Sequence, residues 1–168
     1  MIDVANKYKE KLEKHFLGIW NNRKYDYWNT GGYNRSMPDI PGTDYSESHF
    51  AILDGDNIIG YISYDINRVS KVVSCLQAIN FSEEPRHRII FGVGLSRVLR
   101  NIFEVSNMSK ITFSMTVGNP IEKSYDKLIN RFGGRIVGTY KDDVMLSDGK
   151  LYDLKLYEIL KSDYIKNK

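Results

Sequence analysis

The chain has 168 residues, 42% of them hydrophobic and 27% charged, with 24 basic against 21 acidic residues and a net charge of +3. These proportions fit one globular domain over residues 1–168 with a single substantial core, and exclude a disordered or fibrous chain. A weak positive excess spread among acidic residues does not imply a nucleic-acid partner, which usually needs clustered positive charge, and none is expected.

The N-terminus is charged from Asp3 onward and has no apolar stretch of signal-peptide length. No segment approaches the ~20 apolar residues of a membrane span. A cytoplasmic protein without a membrane partner is expected. Val4, Tyr8, Leu12, Phe16 and Ile19 then recur at helical spacing between Lys and Glu residues, which predicts an amphipathic helix over 3–20. Residues 21–48, rich in Asn, Gly, Ser and Tyr, show no sustained period and read as a long irregular segment.

Strands are predicted at 49–53 and 58–65, flanking the hairpin signal Asp54-Gly55-Asp56-Asn57. The nearly continuous apolar run 72–81 predicts a central strand buried on both faces. Cys75 lies within it, next to Leu76, and reads as a buried thiol acting as a small hydrophobe. As the only cysteine it excludes an intrachain disulfide and a Cys-based metal cluster.

A helix is predicted at 91–106, its stripe made by Phe91, Leu95, Val98, Leu99 and Ile102. Clean alternation over 111–117 predicts a strand. Asn119 reads as an N-cap with Pro120 at the first helical position, opening a helix with Ile121, Tyr125, Leu128 and Phe132 on one face, ended by Gly133-Gly134. Strands at 135–145 and 151–159 flank a second hairpin signal, Ser147-Asp148-Gly149-Lys150. The Lys-rich end, 161–168, reads as a frayed, solvated tail. The sum is an α/β fold with a mixed sheet and helices on both faces; no strand is evident ahead of the first helix.

This order, with Gly92-Val93-Gly94 after the third strand, resembles the GNAT superfamily of N-acetyltransferases over residues 49–159. Gly118-Asn119-Pro120, Tyr125-Asp126-Lys127-Leu128 and Phe132-Gly133-Gly134 resemble the family's later Asn, Tyr and Gly-aromatic positions. At its acetyl-CoA signature, Gly92 and Gly94 match the small positions, while the Gln/Arg position falls on Ile89, with Arg88 one residue early. The resemblance implies a mostly antiparallel sheet, acetyl-CoA as cosubstrate and an amine acceptor on a small molecule or a protein.

Under that resemblance the start of the second long helix would bind the diphosphate, since first-turn amides lack internal acceptors. Phe91, Gly92, Val93, Gly94, Leu95 and Ser96 are the candidate cradle, with Arg86, His87 and Arg88 just before it; the alternative is that the glycines permit helix–sheet packing. The pantetheine arm would run along 78–81, at Ile79, Asn80 and Phe81, where a backbone amide would polarise the thioester. Asn119 is placed with the cofactor residues. Tyr125 would protonate the departing thiolate, or else is a core ring. Glu83 and Glu84 are the candidate bases, with His15 and His49 as further options. Three scattered histidines give no metal-ligand spacing, so no metal is expected. Trp28, Tyr25, Tyr27, Tyr33 and Tyr45 line either an acceptor pocket or a satellite core. The alternative function is a GNAT-fold CoA-binding or interaction module without catalysis; a homodimer suits either.

Overall fold

The computed structural model describes residues 1–20, 22, 25–27, 40 and 45–168. Trp28 and Tyr33, and most of the irregular segment expected at 21–48, lie outside the described residues.

Seven strands form one sheet in the order β1-β2-β3-β4-β5-β7-β6. They are β1 (Ile2–Val4), β2 (Glu47–Asp54), β3 (Asn57–Asn67), β4 (Val72–Asn80), β5 (Lys110–Thr116), β6 (Arg135–Met145) and β7 (Leu151–Leu160). Every neighbouring pair is antiparallel except β4 with β5. The helices are α1 (Lys9–Trp20), α2 (Pro85–Arg100, continued by a π-helical turn at Asn101–Val105), α3 (Glu122–Phe132) and α4 (Lys161–Asn167). Among the described residues no helix is long and apolar enough to cross a membrane.

Side-chain alternation along the strands divides the core into two. On one face, Leu12, Phe16 and Ile19 of α1 pack on Ala51, Leu53, Tyr61 and Ile79. On the other, Val98, Leu99 and Ile102 near the end of α2, Ile129 and Phe132 of α3, and Tyr164 of α4 pack on Ile52, Ile62, Val73, Ile111 and Tyr157. Helices on both faces of a mostly antiparallel sheet are what the resemblance implies.

Several sequence expectations need correction. A strand, β1, does precede the first helix: Ile2 to Val4 pair with Phe50 to Ile52, a stretch too short to show a period. The second long helix opens at Pro85, six residues ahead of the expected Phe91. Pro85 stands in the first turn, where its missing N–H costs nothing. The polar Arg86-His87-Arg88 turn carries none of the apolar stripe that announces the rest. Residues 161–168 are not a frayed tail but α4, anchored by Tyr164, which is 4% exposed and stacks on Phe103 and Phe132. One aromatic ring outweighs three lysines there. Asn119 does not cap α3: its side chain accepts the Ile121 amide at 3.1 Å in a turn before the helix. The other α3 signal holds, since Gly133 ends the helix at φ 70° and the Gly134 amide bonds back to Ile129.

β4 is not buried on both faces. Val73, Leu76 and Ile79 are buried and their neighbours half-buried or exposed. Cys75 is exposed, at φ 54°, with Asp65 beside its sulfur. The register explains it. Ser63 pairs with Gln77 and Asp65 with Ser74, so Cys75 and Leu76 together oppose the single residue Tyr64. That is a β-bulge, with one residue more on β4 than its partner needs.

Candidate active site

The bulge lies where the sheet divides. β4 and β5 pair only at Val72 with Lys110 and Val73 with Ile111. Beyond Val73 the two strands no longer pair and β4 is left with β3 alone. The Phe81 amide donates to Ile59 O at 2.9 Å. Because partner directions alternate along an antiparallel strand, the backbone groups of Gln77, Ile79 and Phe81 serve β3, and those of Ala78 and Asn80 point into the opening. Of the stretch 78–81, the amides able to polarise a carbonyl there are thus Ala78 and Asn80, not Ile79 or Phe81. The Ile79 side chain is buried against α1, and Phe81 stacks on His15 at 4.8 Å. The Asn80 side chain accepts the Ser82 amide at 2.9 Å and ends the strand.

The open end of α2 sits past this strand end. Its first-turn amides belong to residues 86–88, and the Arg88 amide already bonds to Glu84 O at 3.1 Å. Asp54, at the end of β2, organises the turn: Arg86 donates to it at 3.0 Å, and His87 Nε2 lies 3.4 Å from it. His87 Nδ1 is 2.7 Å from the Ser82 hydroxyl. No spacing in the sequence links 54 with 82, 86 and 87; the sheet order brings them together. Arg88 is exposed here, as is Arg86 beside its bond to Asp54.

Phe91, Gly92, Val93, Gly94, Leu95 and Ser96 fall in the second and third turns of α2, where amides are spent within the helix. The helix-start argument for them does not hold. Gly94 serves packing, since a Cβ there would come within 2.7 Å of Ile52 Cδ1. Phe91 lies over Gly60, where a Cβ would meet its ring at 2.5 Å. Leu95 packs on the same core. Gly92 faces open space, Val93 is exposed, and the Ser96 hydroxyl bonds back to Gly92 O.

Across the opening stands Tyr125 on α3. Its ring packs on Phe113, two residues past the last β4–β5 pair, at 5.5 Å, and on Tyr157 at 6.3 Å. Burial pushes its hydroxyl up to about 12. Among the described residues that hydroxyl makes no hydrogen bond, whereas Tyr157 bonds to Asp126. Tyr125 is therefore both a core ring and a protonated phenol with a free donor. Asn119 lies in the turn leading to α3, and Glu122 ties that turn down by accepting the Gly118 amide and bonding Lys155.

Glu83 and Glu84 are both exposed in the connection after β4, and Glu84 lies 3.7 Å from His87. His15 is half-buried, and burial lowers its pKa, leaving a neutral imidazole against Phe81. On the α1 face, residues 25–27 bridge the two halves of the sheet. Tyr25 joins the α1 core. Asp26 takes a hydrogen bond from Ser147, and Tyr27 reaches Tyr152 and Gly118. Tyr45 is exposed. Among the described residues no three His, Cys, Asp or Glu side chains are grouped to hold a metal.

No protein-family profile matches the chain, and no curated protein matches it by sequence. Solved structures do. A probable acetyltransferase matches with a TM-score of 0.74 at 19% identity, over 96% of this chain and 93% of the other. A spermidine N-acetyltransferase from Vibrio cholerae, in complex with CoA and spermine, matches with a TM-score of 0.71 at 22% identity, over 98% and 97%. The Vibrio cholerae spermidine/spermine N-acetyltransferase SpeG in another structure reaches 25% identity with a TM-score of 0.60, over 73% and 70%. With its mostly antiparallel sheet divided after the fourth strand, the chain has the GNAT-like fold of these acetyltransferases, and the neighbours support an acyltransferase.

Proposed function

We propose that the chain transfers the acetyl group of acetyl-CoA to a primary amine of a small molecule or protein, with a polyamine the first acceptor to try. The observation that carries this reading is the two-pair β4–β5 junction, which leaves the Ala78 and Asn80 backbone groups facing an opening with the start of α2 at its end. An extended pantetheine arm matches such a strand edge. Arg86, Arg88 and the α2 amides suit its diphosphate. The named substrates of the Vibrio cholerae neighbours, spermidine and spermine, support a small amine acceptor.

The chemistry follows from these groups. The neutral amine attacks the thioester carbon and forms the C–N bond. The carbonyl oxygen gathers negative charge at the Ala78 or Asn80 amide, a contact worth about 3 kcal/mol in the transition state. Collapse breaks the C–S bond, the thiolate takes the Tyr125 proton, and the proton shed by the new amide nitrogen restores the phenol. The apolar ring cluster of Phe113, Tyr125 and Tyr157 keeps water from that transfer.

Calorimetric titration with acetyl-CoA and CoA tests the binding half, alongside an Arg86→Glu, Arg88→Glu variant. Micromolar binding that weakens at least tenfold in the variant is expected. No binding by folded wild-type protein overturns the reading. A panel of spermidine, spermine, an aminoglycoside and a lysine peptide then tests transfer. One feature favours a second reading, a CoA-binding module without catalysis: the α2 start carries Arg86, His87, Arg88 and Ile89 where glycines would admit phosphates more closely. Binding with no transfer to any of the four amines would select it.

A further inference from the structure

The α1 face of β2 and β3 carries a chain of polar groups to which the cleft described above assigns no role. Glu47, His49, Tyr61 and Ser63 share that face, with His49 opposite Ser63 and Ala51 opposite Tyr61. His49 Nδ1 lies 2.6 Å from the Tyr61 hydroxyl, and His49 Nε2 lies 2.9 Å from Glu47 Oε2. An ionised carboxylate only accepts, so the ring proton belongs on Nε2. Nδ1 is then an acceptor, and the Tyr61 hydroxyl donates to it. Tyr61 is 1% exposed and Ser63 is buried. At the other end Glu47 is 41% exposed, a route to solvent.

The chain lies on the strand next to β4, which borders the cleft. Tyr61 is paired with Ile79 and Ser63 with Gln77, both on β4 beside the divergence. One strand spacing, about 4.8 Å, separates them. Phe16 of α1 stands edge-on to Tyr61 at 5.1 Å, closing the apolar side. The titratable groups facing this chain are Glu47 on β2, Asp65 opposite it on β3, Cys75 on the β4 bulge and His15 on α1, stacked on Phe81. Of these, Glu47 is the charged group that acts on Tyr61.

We propose that Tyr61, His49 and Glu47 form a proton relay that removes the ammonium proton of the acceptor amine. The proposal rests on the acetyl-transfer reading above. The ammonium N–H bond breaks as its proton passes to the Tyr61 oxygen, through the Ser63 hydroxyl or one water. The phenolic proton moves in the same step to His49 Nδ1. Glu47 stabilises the resulting imidazolium, which releases one proton to solvent, and the neutral amine is left to attack. No tyrosinate accumulates, consistent with a hydroxyl that burial pushes up to about 12. Glu47 is a positioning residue: it fixes the imidazole tautomer.

Two measurements test this. In ¹⁵N NMR of the histidine side chains, the neutral form of His49 is expected as the Nε2–H tautomer; an Nδ1–H tautomer overturns the relay whatever the activity. Kinetics of His49→Gln, Tyr61→Phe and Glu47→Gln, with the best amine of the panel, are read from pH 6 to 10. The expected loss in kcat is roughly 10²-fold at pH 7 for His49→Gln. It shrinks as the pH nears the amine's own pKa, with acetyl-CoA affinity within twofold of wild type. Tyr61→Phe keeps the ring and so tests the relay even if His49→Gln fails to fold. A deficit constant across pH, or none, overturns the relay and leaves acetyl transfer standing. Wild-type protein that binds no acetyl-CoA defeats both.

Discussion

Tyr125 and Tyr61 are both tyrosines lifted to about 12 by burial, yet their hydroxyls differ. Tyr61 is committed to His49, while Tyr125 has a donor to spare. Tyr125→Phe should keep the packing on Phe113 and Tyr157 and lose the proton. The expected result is kcat lowered by roughly 10²-fold with acetyl-CoA affinity unchanged, checked by steady-state kinetics beside calorimetry. The two phenols also set an alkaline limit. Below pH 10 each is protonated whether the chain is folded or not. Between about 10 and 12 the unfolded chain ionises them and the folded chain does not, so stability is lost as pH rises through that window. For Tyr61 the loss is about 2 kcal/mol by pH 12. Urea denaturation at pH 9 and pH 11.5 should show the midpoint falling, and falling less in Tyr61→Phe.

Among the elements, those whose side chains alternate or recur along a stripe were legible in the sequence. β5 announced itself by Ile111, Phe113 and Met115, and α3 by Tyr125, Leu128, Phe132 and its Gly133 stop. The start of α2 was hidden, because its first turn is polar and Ile89, two residues ahead of the stripe, is 70% exposed. That hidden turn set the expected helix start at Phe91 instead of Pro85. The cleft was legible only through the family resemblance, since no local signal in 72–81 marks Cys75 as a surplus residue. Asp54 with His87, and His49 with Tyr61, are contacts between separate elements that periodicity cannot show. The glycines of this region now divide by role. Gly92 sits mid-helix facing open space, so Gly92→Ala should stabilise by about 0.5–1 kcal/mol, raising Tm a few degrees with acetyl-CoA binding intact. Gly60→Ala would force its Cβ against the Phe91 ring and Ile79 O, at 2.5 and 2.7 Å. It should cost roughly 1–3 kcal/mol in denaturant melts.

As a whole the molecule is two half-sheets joined at two residue pairs, with α1 over one face of the first half and residues 25–27 spanning to the second. Val73 and Leu76 lie three positions apart yet face the same core, and Ile79 faces the other. Remove Cys75 and ordinary odd-even alternation returns: every buried side chain keeps its face and every pair with β3 keeps its partner. What would vanish is the bend. A chain shortened by that one residue should fold with the same core and unfold as cooperatively in calorimetry. Its β4 would be free to zip along β5, and acetyl-CoA binding would be lost. The opening in this enzyme is a counting error written into one strand, and a single-codon deletion should correct it.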